Sequence, residues 1–143
     1  MKWFAVKTLY RSTVETRPEK PDLFYDPDAT LVEERVLLIK AKSRGEALDK
    51  AGREAGDYVQ KTKCFNPYNQ EILTRLLPFM DVYELSGNPG DKMEIFATTR
   101  LMSCRIPDRK VAQVLIGPKA HDKMDSKRKK FMNRDYQPQD GDA

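Results

Sequence analysis

LVEERVLLIKAKSRGEALDKAGREAGDYV, residues 31–59, joins an apolar run to the strongest helix signal in the chain. The signal begins with Ser43 and Glu46, a capping box in which the Ser43 oxygen accepts a hydrogen bond from a free backbone N–H group and the Glu46 side chain reaches back to the N–H group of Ser43 itself. Apolar residues then recur at helical spacing and form one face, which consists of Ala47, Leu48, Ala51, Ala55, Tyr58 and Val59. Because an apolar helix face must be covered, the stretch predicts a helix that packs on a sheet.

Two glycines, Gly52 and Gly56, interrupt the predicted helix. Each costs about 1 kcal/mol of helix stability relative to alanine. We interpret them as positions at which the helix backbone approaches the sheet closely. A membrane dimer motif built on small residues is excluded by the charged face of the helix, where Glu46 and Lys50 lie four positions apart.

Two strands are predicted before the helix. Residues 3–11 mix aromatic and β-branched side chains, which is typical of a strand. Residues 31–42 are apolar at every position from 36 to 39, which predicts a strand inside the sheet with both faces covered there. A segment with three prolines, residues 12–30, separates the two strands and has the length of loops that tend to be functional or mobile.

Two further strands are predicted after the helix. The sequence NPYN at residues 66–69 predicts a turn, since proline fixes the backbone at its second position and Asn69 tolerates the left-handed conformation. It leads to a third strand, residues 74–85, in which Pro78 predicts an edge position or a bulge because proline has no N–H group to donate. Residues 93–106 are the predicted fourth strand, which a loop with Gly and Pro joins to the third as a hairpin.

The predicted fold class is α+β, with a small, mostly antiparallel four-stranded sheet (β-β-α-β-β), one main helix on one face and a C-terminal helix or arm. Residues 1–118 form the single predicted domain, and residues 107–118 have the apolar face and the Gly-Pro stop of a short helix. Residues 119–143 are predicted to be a polar C-terminal arm that is partly disordered. The second face of the sheet needs a cover from this arm, from the long loop or from a second protein chain.

Composition and motifs exclude several classes of function. The net charge of +4 permits a nucleic-acid partner without requiring one. The chain shows no secretion signal and no apolar run of about 20 residues. With Cys64 and Cys104 predicted to be reduced thiols, we expect a cytoplasmic protein with no membrane partner. The single histidine, His121, has no metal-ligand pattern around it and no glycine-rich phosphate loop is present, so we predict no metal and no cofactor.

Two sets of residues are candidate binding sites. The first is centred on Asp81, a carboxylate between apolar neighbours on one face of the third strand. Its expected partner is Arg75 or Arg100, and we favour a structural salt bridge over a binding role. The second is a run in the C-terminal arm whose cations would contact phosphates while its aromatic ring stacks on bases; it comprises Lys127, Arg128, Lys129, Lys130 and Phe131.

The chain resembles the bacterial family of domain of unknown function 4288 from residue 3 to about residue 136. The most specific parts of the resemblance are LVEERV with the LIKAKS and EAL that follow, and NPYNQE with the TR and DVYEL that follow. Asn69 stands where the family's corner is expected to hold glycine, and asparagine also tolerates a left-handed backbone. The resemblance implies a small cytoplasmic bacterial protein and carries over no catalytic residues.

Three functions are compatible with these features. The one we favour is a non-enzymatic protein-interaction module, such as an immunity-protein-like inhibitor or an accessory subunit. Its partner would be another protein chain, either a hetero-partner or a second copy. The alternatives are a nucleic-acid-binding accessory protein that uses the basic arm, and an unrecognised enzyme. Candidate residues for the enzyme are Asp26, Glu34, Arg75, Asp81 and Arg100.

Overall fold

Four strands and two helices follow one another in the computed structural model of the protein, which describes residues 1–116. In chain order they are β1 (Lys2–Val14), β2 (Leu31–Ala41), α1 (Arg44–Lys61), β3 (Cys64–Phe65), β4 (Glu71–Glu84) and α2 (Asp108–Leu115). The strands form one antiparallel sheet in the order β2-β1-β4-β3, with α1 on one face. The predicted α+β fold class is confirmed, as is the short helix within residues 107–118. The predicted arm, residues 119–143, lies outside the described residues.

The core lies between α1 and the inner face of the sheet. Six buried residues form it, with Leu37, Ile39, Leu48 and Met80 packed around them; the six are Phe4, Val6, Ala41, Ala47, Ala51 and Val82. We call the opposite side of the sheet the outer face. It carries the odd-numbered residues of β1 and the even-numbered residues of β2, because successive side chains of a strand point to opposite faces.

The start of α1 confirms the Ser43 part of the predicted capping box, whereas Glu46 bonds one residue earlier than predicted. The Ser43 hydroxyl accepts a hydrogen bond from the Glu46 N–H group at 3.2 Å. The Glu46 carboxylate in turn accepts one from the N–H group of Lys42 at 2.7 Å, one residue before the cap. Both side chains therefore hold the junction between β2 and α1.

The interpretation of the two helix glycines as close-approach positions is wrong. A Cβ atom at Gly52 would lie 3.6 Å from the Cε atom of Met80, which is an ordinary contact, and one at Gly56 would have no atom within 4 Å. The close approach is made by three fully buried alanines, Ala47, Ala51 and Ala55. Small apolar residues on the core face bring the helix to the sheet, and the glycines lie beside that face.

The fourth strand is not the one that the sequence predicts. Residues 93–106 form no strand, so the predicted hairpin with the third strand is wrong. Its place in the sheet is taken by the two residues of β3, which pair with the start of β4. Aromatic and β-branched residues suit any half-buried surface of a sheet. The composition of residues 93–106 therefore indicates contact with a sheet as much as pairing within it.

The segment after β4 provides part of the cover for the outer face. The ring of Phe96 lies 6.2 Å from that of Tyr83, and the Lys7 ammonium group lies 4.9 Å above the Phe96 ring. The Tyr83 hydroxyl donates a hydrogen bond to Glu94 at 2.6 Å, which raises its pKa. The sequence predicts a cover from the C-terminal arm, the long loop or a second chain, and it predicts residues 93–106 as a strand. The cover provided by this segment is therefore not one that the sequence predicts.

β2 lies at the edge of the sheet, where β1 is its only neighbour among the described strands. Its side chains alternate between a half-buried inner face and an exposed outer face. On the outer face, Val36 and Leu38 have exposed fractions of 43% and 44%. The prediction of a strand covered on both faces is therefore wrong, because strands of an antiparallel sheet commonly leave one face to solvent.

Pro78 lies in a bulge of β4, as one of the two predicted alternatives requires. Thr8 pairs with Met80 and Tyr10 with Leu76, so the single residue Leu9 faces three residues of β4. A proline has no N–H group for the ladder, and a bulge is where a strand tolerates it. The bulge lies in the part of β4 that borders α1.

Candidate functional site

Asp81 does not form the predicted salt bridge. It is exposed on the outer face and lies opposite Lys7 in the ladder, away from Arg75. Among residues 1–116 it has no hydrogen bond or ion pair with Arg75 or Arg100. The prediction assumes that apolar neighbours along the strand imply burial of Asp81. On the solvated outer face the carboxylate is open to water and needs no partner.

Arg75 lies opposite Arg11 in the β1–β4 ladder, and both side chains are exposed. Arg100 is exposed in the irregular segment between β4 and α2. The structure thus does not bring the predicted trio of Arg75, Asp81 and Arg100 together by any contact among the described residues. The basic run at residues 127–130 and Phe131 lie outside the described residues.

The fold places three of the five candidate enzyme residues on the same face of the sheet. Glu34, Arg75 and Asp81 share the outer face, but no contact in the described part of the chain joins any two of them. Glu34 pairs with Lys7 at 3.7 Å. Asp26 lies in the long loop, where its carboxylate accepts a hydrogen bond from the N–H group of Asp28 at 3.0 Å. No group of three potential metal-ligating side chains occurs within residues 1–116.

A network of polar and aromatic side chains joins α1 to β2, and no motif in the sequence predicts it. The Arg35 guanidinium donates hydrogen bonds to both carboxylate oxygens of Glu54 and one to the Tyr10 hydroxyl. The same guanidinium lies 3.6 Å above the ring of Tyr58, whose hydroxyl donates to Glu33 at 2.6 Å. The Arg35 charge is neutralised by Glu54 within the network, which makes it a structural connection between helix and strand.

Burial lowers the pKa of the Arg35 guanidinium, but its hydrogen bonds to Glu54 and Tyr10 outweigh that effect and raise the pKa overall. The residue therefore keeps its charge at any pH at which the protein is folded. A permanently charged, neutralised arginine cannot transfer a proton. This chemistry supports a structural role and gives no indication of acid–base catalysis.

A second network fixes the corner at residues 66–70. The buried Asn66 carboxamide oxygen accepts hydrogen bonds from the N–H groups of Tyr68 and Gln70, both at 3.0 Å. Asn69 has a φ of 56°, which confirms the predicted left-handed conformation. The turn predicted from NPYN is therefore present, with the asparagine side chain bonding the turn backbone as expected of this motif.

The corner also holds the long loop. The Gln70 side chain, fully buried, donates to the carbonyl of Thr16 at 2.6 Å, and the carbonyl of Tyr68 accepts from the N–H group of Glu19 at 2.8 Å. The Tyr68 hydroxyl donates to Asp22 at 2.6 Å, and burial together with this bond raises its pKa. The cavity behind the corner holds about 20 Å³, enough for one water molecule and too small for a ligand.

An open groove of about 690 Å³ lies between α1 and the bulged part of β4. Its lining is mainly apolar and consists of Leu48, Asp49, Gly52, Arg53, Leu76, Leu77, Pro78 and Met80. Two local features open it. The bulge moves β4 out of regular alignment, and Gly52 places no side chain over Met80.

Charged groups line the helix side of this groove. Asp49 and Arg53 are both exposed, one helical turn apart, and neither forms an ion pair or side-chain hydrogen bond with another residue in 1–116. Phe79, which follows the groove residue Pro78 in the bulge, has an exposed fraction of 68%. Sequence reasoning identified Gly52 and Pro78 separately as unusual. It could not place them on opposite sides of one groove, because that depends on how α1 crosses the sheet.

In the part of the chain that the structure describes, no helix has both the length and the apolar content needed to cross a bilayer.

No curated protein and no solved structure matches the chain. The sequence model of one family, described as "Domain of unknown function (DUF4288)", matches residues 3–97. This match extends from β1 to the Phe96 segment on the outer face and covers more than half of the chain. The chain therefore belongs to the DUF4288 family, as its resemblance in sequence predicts.

Proposed function

We propose that this protein is a non-enzymatic interaction module, a cytoplasmic bacterial inhibitor or accessory subunit, that binds a segment of another protein in the groove between α1 and β4. The observation that supports this proposal is an apolar groove bordered by two charges of opposite sign that form no ion pair within residues 1–116. Exposed apolar surface with a polar rim is typical of protein-binding sites.

The groove specifies the chemistry of its occupant. Leu48, Leu76 and Met80 are half-buried and offer apolar contact to an aliphatic or aromatic side chain. Asp49 favours a basic group and Arg53 an acidic one. The two positions lie about 6 Å apart along the helix, which is close to the distance between alternate residues of an extended chain. The occupant is therefore an extended segment with one basic and one acidic residue two positions apart, next to an apolar anchor.

Selection of displayed random peptides on the purified protein tests this specificity. We expect enriched sequences with an apolar anchor, a basic residue and an acidic residue two positions apart. The double variant Asp49→Arg/Arg53→Asp exchanges the rim charges, so it should select the two charges in the opposite order. Identical selections for the wild type and the exchanged variant, or sequences without charge preference, would contradict the proposal.

A second candidate function is binding of single-stranded nucleic acid. The observation that favours it is the pair of exposed arginines, Arg11 and Arg75, which face each other on the outer face without an acidic partner among residues 1–116. Adjacent like charges are unfavourable unless an anion lies between them. The basic run at residues 127–130 adds four further cations to the chain.

Titration of a labelled oligonucleotide at increasing salt tests this candidate, since contacts with phosphates release counterions and weaken steeply with salt. Replacing Lys127, Arg128, Lys129 and Lys130 by alanine should abolish binding, and Arg11→Ala/Arg75→Ala should reduce it. The double variant Arg17→Ala/Arg105→Ala, at two exposed positions, serves as a control that removes as many charges as Arg11→Ala/Arg75→Ala. Binding that is unchanged in both sets of variants would exclude this function.

A further inference from the structure

Among residues 1–116 the outer edge of β2 is unpaired and regular, and its inward-pointing charges, Glu33 and Arg35, are bonded to side chains of α1 in the same chain. All eleven residues of β2 pair with β1 without a bulge, and none is proline. Edge strands are normally kept apart from other strands by bulges, prolines or inward-pointing charges. On the other side of the sheet β4 has the bulge and Pro78, whereas β2 offers a long, regular edge.

Backbone geometry shows which residues of β2 direct their peptide groups outward. The carbonyl of Lys40 accepts a hydrogen bond from the Lys50 side chain at 2.8 Å. In an antiparallel ladder, alternate residues bond to one neighbour, and those between them point the other way. The even-numbered residues therefore offer their N–H and C=O groups at the free edge.

The same even-numbered residues carry the exposed side chains of the outer face. From position 34 to position 40 they read Glu34, Val36, Leu38 and Lys40. This order, acid–apolar–apolar–base, is complementary to itself when reversed. A surface that complements its own reversed copy is what a two-fold symmetric interface requires.

We propose that two copies of the chain pair antiparallel through β2, with Leu37 of one copy opposite Leu37 of the other. In this register Glu34 lies opposite Lys40 of the second copy and Val36 opposite Leu38, and each pair occurs twice. Opposite charges and apolar pairs directly across an antiparallel ladder are favourable. The two sheets then form one continuous sheet, with both copies of α1 on the same side.

Neighbouring two-fold registers match less well. Centring the pair on Val36 places Glu34 opposite Leu38, and centring it on Leu38 places Val36 opposite Lys40. Centring it on Arg35 brings two guanidinium groups together. Among these registers, the one centred on Leu37 alone joins both charges and both apolar residues to suitable partners.

Within residues 1–116, pairing through this edge displaces the Lys50 side chain from the Lys40 carbonyl. In the pair, the Lys40 carbonyl accepts a hydrogen bond from the N–H group of Glu34 in the second copy, so Lys50 releases it. Lys50 keeps its ion pair with Glu46, which is 3.2 Å away on the same helix. Among the described residues, the side-chain hydrogen bond that this pairing replaces therefore lies at one end of the edge.

Sedimentation equilibrium over a range of protein concentrations, with charge variants, tests this inference. We expect the wild type to form a dimer. Glu34→Lys and Lys40→Glu each place like charges opposite one another twice, so each should weaken the dimer at least about tenfold. The double variant Glu34→Lys/Lys40→Glu restores opposite charges and should recover most of the affinity. Glu84→Lys makes the same charge change on β4, which β1 separates from β2, and should leave the dimer unchanged.

The double variant separates the interface from effects within one chain. Glu34→Lys also loses the contact with Lys7, but the double variant does not regain that contact, so its recovery arises only from the second copy. Circular dichroism confirms that each variant is folded. A wild type that stays monomeric at all concentrations, or a double variant that associates no better than the single ones, would overturn the inference.

Discussion

The guanidinium of Arg35 donates two hydrogen bonds to the carboxylate of Glu54, at 3.1 and 3.2 Å, and so joins β2 to α1. Two-point contact between these groups fixes both direction and distance. The Arg35 side chain has an exposed fraction of 22%, so it depends on this partner more than a surface arginine would. The pair determines how α1 lies on the edge of the sheet.

Replacing Glu54 with alanine should lower the free energy of unfolding by about 1–2 kcal/mol, since a half-buried guanidinium loses its charged acceptor. Asp57→Ala removes an exposed carboxylate from the same helix and should change it by less than about 0.5 kcal/mol. Urea unfolding of both variants measures the difference. Equal effects of the two substitutions would show that the Arg35–Glu54 contact does not stabilise the fold.

Gly56→Ala should stabilise the protein by up to about 1 kcal/mol, because alanine is the better helix former and a Cβ atom at this position meets no neighbour. Thermal unfolding measures the effect. A destabilised variant would mean that the helix backbone does approach the sheet at Gly56, as the sequence first suggested.

Asn69→Gly and Asn69→Ala separate the backbone from the side chain at the corner. Both variants lose the hydrogen bond to Glu19, but only alanine places a Cβ atom without a compensating polar group in the left-handed conformation. We expect Asn69→Ala to be less stable than Asn69→Gly by about 1 kcal/mol. Similar stabilities for the two variants would contradict a backbone role for this position.

The Glu46 carboxylate gives a prediction for the pH dependence of stability. Its hydrogen bond from the Lys42 N–H group, followed by its contact with Lys50, holds its pKa below its ordinary value of 4.5. A depressed pKa contributes stability above the unfolded pKa, and this contribution is lost as the pH falls through the folded value. The advantage of the wild type over Glu46→Gln should therefore be largest at neutral pH and shrink below pH 4.5. Thermal unfolding at a series of pH values measures it, and an advantage that does not change with pH would contradict the assignment.

Local signals in the sequence predicted the local structure of this protein well. The capping box at Ser43, the left-handed Asn69 and the bulge at Pro78 each follow from the chemistry of one or a few neighbouring residues. The sequence does not predict β3, because a strand of two residues is too short to show any periodicity. Its partner choice depends on where the corner places it.

The site was harder to predict, because it depends on contacts between distant elements. Asp81 drew attention as a charge among apolar neighbours, yet the outer face leaves it in water. Arg35 and Glu54 were not singled out, although they form the closest charged contact between α1 and β2. The groove requires Gly52 and Pro78 on facing elements, and no periodicity within either element reveals that relationship.

Capture of partner proteins by Gly52→Gln, Gly56→Gln and the wild type tests the proposed function most directly. Both substitutions replace a glycine of α1 with the same good helix former, but only the one at Gly52 fills the groove. Immobilised proteins are incubated with a native lysate, and bound proteins are quantified by mass spectrometry. The account predicts a protein that the wild type and Gly56→Gln retain equally and that Gly52→Gln loses. Equal retention of every captured protein by Gly52→Gln and the wild type would contradict it.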